Sequence, residues 1–444
     1  MRKVVTAMFV ALMSMLGMSS AGAQPLTLPE LIDRMVPAPV VPERSGDASP
    51  SAALPDGSHL DPALYRAYLP SPSQDPFFDT WPDMAEYQPG RLIEWRDVSQ
   101  TAVQMTFQPV RALQLKFYST DALGRPSFGT ATVVLPVTPW MGVGQRPVVV
   151  NNLPIDSLGV QCTPGYTLAH GLSLSTNATD IVPPTTLLGL SQGYAVLIPD
   201  HQGPRMAYAE PYVAGQMILD SIRAVRQLLP GELSGSRFAM TGYSGGAIAT
   251  HGAVKLIDSY APELKESIAG AALGGVPADF EMLSNSMDGN LASGLFLAAT
   301  FGVGRERPQI LELLNHLGQQ VAISPLKDQC VVGLGAAGIL HVSAEVLANV
   351  EQALTSEVAR EVFAITKMAG VKSGTPLFIY NGAQEFWIPA EGARNLYLEQ
   401  CALGVDAVYR EPFGEHVIAA VTGYPEAIDW LDRRLRGEPA PSEC

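Results

Sequence analysis

The chain has 444 residues, 47% of them hydrophobic and 16% charged, and a formal net charge of −15. This composition excludes an intrinsically disordered chain, and the length suits one large domain with insertions or two domains. The acidic balance argues against a nucleic-acid partner or an anionic membrane surface held by charge, but not against a neutral lipid or ester.

Residues 1–23 read as a signal peptide. Arg2-Lys3 is the basic start, residues 4–18 are apolar, and Ala21-Gly22-Ala23 is a small-residue cleavage site. Without it, 26 basic residues face 43 acidic ones, a charge of −17. No other segment reads as long and apolar enough to span a bilayer, so an exported protein without an integral membrane segment is expected. Residues 24–74 are rich in Pro, Ser and Asp and read as an extended arm with little regular structure. Ordered chain is expected from Asp75 onward.

Residues 113–118 alternate apolar and polar, residues 121–125 hold a turn glycine, and residues 129–136 return, which predicts an antiparallel hairpin at the first edge of a sheet. Short apolar runs at 147–150, 194–200, 237–240 and 268–276 predict buried strands. Helices are expected at 185–190, at 211–229 with Ile218, Ile222, Val225 and Leu228 on one face, and at 247–259. From 280 to 369 strand signals stop and the chain is helical and apolar. A strand at 376–380, a helix at 390–399, a strand at 407–409 and a helix at 425–435 complete the chain. Alternating strands and helices predict an α/β fold, a mainly parallel sheet with helices on both faces. The expected organisation is a core of 75–279 and 370–444, with 280–369 a helical cap over the carboxyl ends of the strands.

Thr241-Gly242-Tyr243-Ser244-Gly245-Gly246 joins a strand to a helix. A serine between glycines at such a turn is the nucleophile elbow of an α/β-hydrolase, with its hydroxyl at the positive end of a helix. A serine hydroxyl needs an imidazole to take its proton, and the imidazole needs a carboxylate. In this fold they follow in the order serine, acid, histidine. His316 and His341 fall in or after apolar helical chain, whereas His416 sits in a loop after the last strand, where the base belongs. The acid should follow the strand at 376–380. Glu385 is the carboxylate of that loop, with Asp406 as its rival nearer the next strand. The N–H of Gly245 and one from Asp156 or Ser157, in the loop after the strand at 147–150, can form an oxyanion hole; Pro154 has no N–H to give.

Cys162, Cys330, Cys401 and Cys444 are an even set in an exported chain, which suggests two disulfides in any of three pairings. None are spaced as a metal knuckle, and neither a metal nor an organic cofactor is called for.

Six short motifs in order extend the hydrolase pattern. They are Asp75-Pro76-Phe77-Phe78, residues 118–126 (YSTDALGRP), residues 158–164 (LGVQCTP), Asp200-His201-Gln202-Gly203, residues 215–224 (GQMILDSIRA) and Gly242-Tyr243-Ser244-Gly245-Gly246. Together they resemble the secretory lipase family, α/β-hydrolases of yeasts and bacteria, over residues 75–427. The resemblance implies Ser244 as nucleophile, His416 as base and the backbones of Asp156 and Gly245 in the oxyanion hole. It gives Glu385 the place of the family's acid, four residues before a proline, with Glu for Asp. It implies the disulfides Cys162–Cys330 and Cys401–Cys444. The chain departs from the family where Leu153-Pro154-Ile155 replaces His-Gly-Thr before the oxyanion residue.

The expected activity is hydrolysis of carboxylic esters, as a lipase or esterase, with a neutral lipid or small ester as substrate. A peptidase or amidase on the same fold, and a secreted binding protein with a disabled site, are the alternatives. Neither acyl length, interfacial activation nor oligomeric state is legible, and Asn177-Ala178-Thr179 is a glycosylation sequon only in a host that glycosylates.

Overall fold

The sheet begins one strand earlier than its sequence pattern indicates. In the computed structural model, which describes residues 26–41, 54, 58–173, 176 and 184–444, β1 (Leu92–Asp97) pairs antiparallel with β2 (Val110–Thr120). The expected leader and the sequon at Asn177 lie outside the described residues. β1 is an edge strand with Trp95 53% exposed, so it shows no clean alternation to read. β2 turns at residues 121–125 into β3 (Pro126–Pro136), a longer hairpin than predicted. Then come β4 (Val148–Asn152), β5 (Ala195–Pro199), β6 (Phe238–Tyr243), β7 (Ile268–Gly274), β8 (Leu377–Tyr380) and β9 (Ala407–Arg410). Among the described residues these make one nine-stranded sheet ordered β1-β2-β3-β5-β4-β6-β7-β8-β9. β3 joins β5 antiparallel, and all pairs from β5 through β9 are parallel. The chain therefore has the α/β-hydrolase architecture.

β4, β5 and β6 are buried along their whole length, which is why they read as continuous apolar runs. Alternate residues still go to opposite cores. Val148, Val150, Phe238 and Met240 pack with Ile218, Ile222 and Val225 of the helix Pro211–Leu228. Val149, Ala239, Ala272 and Phe378 face Trp430 and Leu431 of the helix Tyr424–Leu435. Each such aliphatic side chain, taken fully out of water, contributes about 1.5–3 kcal/mol.

Between β7 and β8 the described chain is helical, including Phe280–Met287, Ser293–Gly304, His316–Ile323 and Glu357–Lys367. This segment has its own core of Phe301, Leu311, Leu334 and Val362, joined by Tyr65, Tyr68, Tyr208 and Ile248 from outside it. The stretch read as an arm with little regular structure differs from that expectation. It carries the helices Leu28–Met35 and Pro62–Tyr68. Thr27 and Glu30 form a capping box, and Asp61 caps the second helix with Pro62 in its first turn. Proline there starts a helix rather than breaking one, so a proline-rich composition conceals both.

The disulfides are Cys162–Cys330 and Cys401–Cys444. The first ties the loop after β4 to the helical segment; the second ties the chain end to the helix Ala390–Ala402. Among the described residues no helix is long and apolar enough to cross a membrane.

Candidate active site

Ser244 falls between the end of β6 and the helix Gly245–Tyr260, with φ 54° and ψ −123°. That backbone conformation is costly for a residue with a side chain, about 1–3 kcal/mol, and persists only where neighbours hold it. Here the Ser244 N–H donates to the Gly274 carbonyl of β7 at 2.9 Å, and the helix takes up the Ser244 carbonyl. Gly246 allows the helix to start so close to β4, because a Cβ there would overlap the Asn152 carbonyl. The turn sets the hydroxyl at the amino end of a sixteen-residue helix, where the peptide dipoles favour negative charge.

His416 opens the helix His416–Thr422, which follows β9, and its Nδ1 lies 2.8 Å from Glu385 Oε2. The other oxygen, Oε1, accepts from the N–H groups of Phe386, Trp387 and Ile388 at 3.1, 3.0 and 3.2 Å. The loop after β8 thus wraps around the carboxylate, whose side chain is 0% exposed. Burial pushes its pKa up, but His416 and these N–H groups outweigh burial and hold it below the ordinary glutamate value. An ionised Glu385 fixes the tautomer with hydrogen on Nδ1 and leaves Nε2 as the nitrogen that can accept a proton. Tyr243 supports the ring as well: its hydroxyl donates to the His416 carbonyl, and its ring centroid lies 5.0 Å from the imidazole.

Ser244, His416 and Asp156 all line one cavity of about 380 Å³. Its far walls are apolar and come largely from the helical segment, including Phe280, Phe296, Leu314, Val362 and Phe363.

The structure separates the candidates that the sequence leaves open. His316 caps the arm, with Nδ1 2.9 Å from the Val36 carbonyl, and His341 is exposed in a left-handed turn; neither lines the cavity. Asp406 is exposed ahead of β9. The Ser157 N–H is turned toward Gln202 Oε1 at 3.4 Å, and Ser157 Oγ accepts from the Val331 N–H. Asp156 instead faces the site. Its φ of 44° is left-handed, its carboxyl is buried, and its Oδ1 lies where a Cβ on Gly245 would be. Tyr243 stands beside Ser244 in the glycine-rich turn, but only its packing against His416 reveals its part. Tyr208 and Ile248 carry no local signal at all.

The model of the secretory lipase family matches residues 168–443. Lipase 1 of Candida albicans is 29% identical over 392 residues, covering 84% of this chain and 83% of that protein. A Mycobacterium tuberculosis protein described as a probable inactive lipase is 27% identical over 380 residues, covering 83% of each. Among solved structures, Candida antarctica lipase A in its closed state superposes with a TM-score of 0.76 at 26% identity, covering 85% of this chain and 89% of that one.

Proposed function

The chain belongs to the secretory lipase family and is a carboxylic ester hydrolase; on that premise we propose that Ser244 is its nucleophile, His416 its base and Glu385 the acid. Ser244 Oγ attacks the ester carbonyl carbon as His416 Nε2 takes the hydroxyl proton. The carbonyl π electrons move to oxygen, which the N–H groups of Gly245 and Asp156 receive. The C–O bond to the alcohol breaks, the alcohol leaves with the proton from His416, and water releases the acyl group by the same route.

The observation that carries this reading is the strained Ser244 at one end of an apolar cavity, beside an imidazole whose Nδ1 is engaged by an ionised carboxylate. The cavity also supports a fatty acyl or alcohol chain as its occupant. Among the described residues its titratable lining is Asp156, Tyr208, Tyr243 and His416, with no lysine, arginine or second carboxylate to pair with a peptide terminus. In this reading the helical segment 280–369 is a cap that selects the substrate. At the mouth, Val417 lines the cavity, and Val417, Ile418, Val421 and Phe413 expose apolar surface to an approaching lipid. Export after cleavage at residue 23 fits the family and the two disulfides.

A binding protein with a disabled site has in its favour the relative described as probably inactive, and the departures from the family at residues 153–155 and at Glu385. Serine, histidine and acid are all present here. The test is a rate series on esters of increasing acyl length, in solution and emulsified. Triacylglycerol lipase activity requires rates that rise with chain length and with an interface. A preference for short soluble esters identifies an esterase, and absence of turnover on every ester overturns the reading.

A further inference from the structure

The loop after β4 and the helical segment meet at Ser157, which is fully buried. Its hydroxyl has one partner on each side of the join. It accepts from the Val331 N–H at 3.0 Å and donates to the Ile155 carbonyl. That carbonyl belongs to the same peptide unit as the Asp156 N–H. Val331 begins the short helix Val331–Ala337, so its N–H has no partner within the helix, and Cys330 before it offers no side-chain cap. The Val331 side chain lines the cavity with Ser244 and His416. The backbone around the hydroxyl is held independently. The Gln202 amide accepts from the Ser157 N–H at 3.4 Å and donates to the Ser157 carbonyl at 3.0 Å. The Leu158 N–H donates to the Gln329 carbonyl at 3.0 Å.

We propose that Ser157 is a positioning residue that couples the cavity to the peptide between Ile155 and Asp156. Through it a long acyl or alcohol chain, packed on Val331, orients the Asp156 N–H toward the ester oxygen. Chain length then raises kcat and not affinity alone. This rests on the ester-hydrolase reading above and names esters of longer aliphatic chains as the substrates it favours.

The physical steps are short. A chain in the cavity packs against the open side of Val331 and holds the start of its helix. The Val331 N–H then holds the Ser157 hydroxyl in the rotamer that donates to Ile155. A peptide unit is planar and trans, so fixing the Ile155 oxygen fixes the direction of the Asp156 N–H. Accepting from Val331 also makes the hydroxyl a better donor, because hydrogen bonds in a chain polarise one another. An N–H aimed before charge develops needs no reorganisation during the reaction. A short ester leaves Val331 unpacked and gains none of this.

The test is kcat and KM on soluble p-nitrophenyl esters from acetate to octanoate, for wild type, Ser157→Ala, Val331→Pro and the double variant. Wild-type kcat should rise with chain length. Ser157→Ala should lose about 10–10²-fold in kcat on octanoate and less on acetate, while KM still falls with chain length. Val331→Pro removes the donor and keeps an apolar side chain. Proline suits the first position of a helix, and the extended Cys330, with φ −83° and ψ 167°, suits the residue before it. This variant should reproduce Ser157→Ala, and the double variant should be no worse than either, because both cut one link. Amide exchange in enzyme phosphonylated with a short or a long alkyl chain gives a readout without turnover: the long chain should slow exchange across residues 155–158 in wild type but not in Ser157→Ala. An equal fractional loss of kcat at every chain length in Ser157→Ala, additive losses in the double variant, or the same slowing of exchange in Ser157→Ala overturns the proposal. So does a wild-type kcat that does not rise with chain length. The kinetic outcomes all require turnover by wild type, so they are distinct from failure of the ester-hydrolase reading, in which no turnover appears at all.

Discussion

Glu385 Oε2 meets His416 Nδ1 at 2.8 Å while Oε1 of the same carboxylate is held by three successive backbone N–H groups. The extra methylene of Glu over Asp is therefore part of the geometry: the loop closes around the longer side chain. Glu385→Gln keeps the shape but loses the charge, and it can leave the wrong imidazole tautomer. It should lower kcat by about 10³–10⁴, the scale seen when a triad carboxylate becomes an amide. Glu385→Asp keeps the charge but draws it back from both His416 and the N–H groups, and should lose about 10–10². Steady-state kinetics on one ester checks both, and equal rates for the Asp and Gln variants would sink the geometric argument.

Arg305 closes the helix Ser293–Gly304 and is 1% exposed. Its guanidinium donates to the carbonyls of Tyr68, Leu158, Arg205, Met206 and Lys327, joining the arm, the loop after β4 and the helical segment. Burial lowers its pKa to about 10, which leaves it charged at neutral pH. Arg305→Met strands those carbonyls, at about 1–3 kcal/mol for a buried acceptor left unpaired, and should cost at least about 3 kcal/mol in urea unfolding. Arg305→Lys should not rescue it, because an ammonium has three donors and no planar fork.

The Cys162–Cys330 bond closes a separation of 168 residues. By loop entropy such a crosslink is worth about 5 kcal/mol, and measured values are commonly lower, about 2–4. Replacing both cysteines by serine should lower stability on that scale and loosen the loop after β4 against the helical segment. Faster amide exchange across residues 154–160 would report the second effect. Unchanged exchange there would show that the bond only stabilises the fold.

Two buried carboxyls away from the site set a pH dependence of stability. Burial raises Asp200 to about 7 and Asp220 to about 6. Unfolded, both titrate near 4. The folded state thus holds these protons more tightly; the contribution is complete below about pH 4 and is lost as pH rises through about 6–7. Glu385 and Asp75, whose values are lowered, act oppositely in the acid range. The buried imidazoles of His201 and His251, whose pKa values burial lowers, act oppositely up to about pH 6.5. The carboxyl contribution is therefore read as a difference: the melting temperature of Asp200→Asn relative to wild type should rise between pH 5 and pH 8. A difference that stays constant over the interval contradicts the assignment.

Much of this was legible in the chain, for reasons that are local. Ser244 stands out because Gly242, Gly245 and Gly246 crowd its turn, and the strand pattern points to His416 and Glu385 as its partners. β1 was not legible, because an exposed edge strand need not alternate. The helices Leu28–Met35 and Pro62–Tyr68 were hidden by prolines that serve as helix starts. The Asp156 carboxyl was beyond reach for a different reason: its burial and its contact with Gly245 join two loops that only the folded sheet brings together.

The central claim, that Ser244 is the ester-hydrolysing nucleophile, is tested most directly by labelling the folded enzyme with a serine-directed phosphonate and locating the adduct by mass spectrometry. The account predicts one adduct, on Ser244, formed in step with loss of ester hydrolysis, and neither adduct nor hydrolysis in Ser244→Ala. An adduct on another residue, or wild-type hydrolysis by Ser244→Ala, would contradict it.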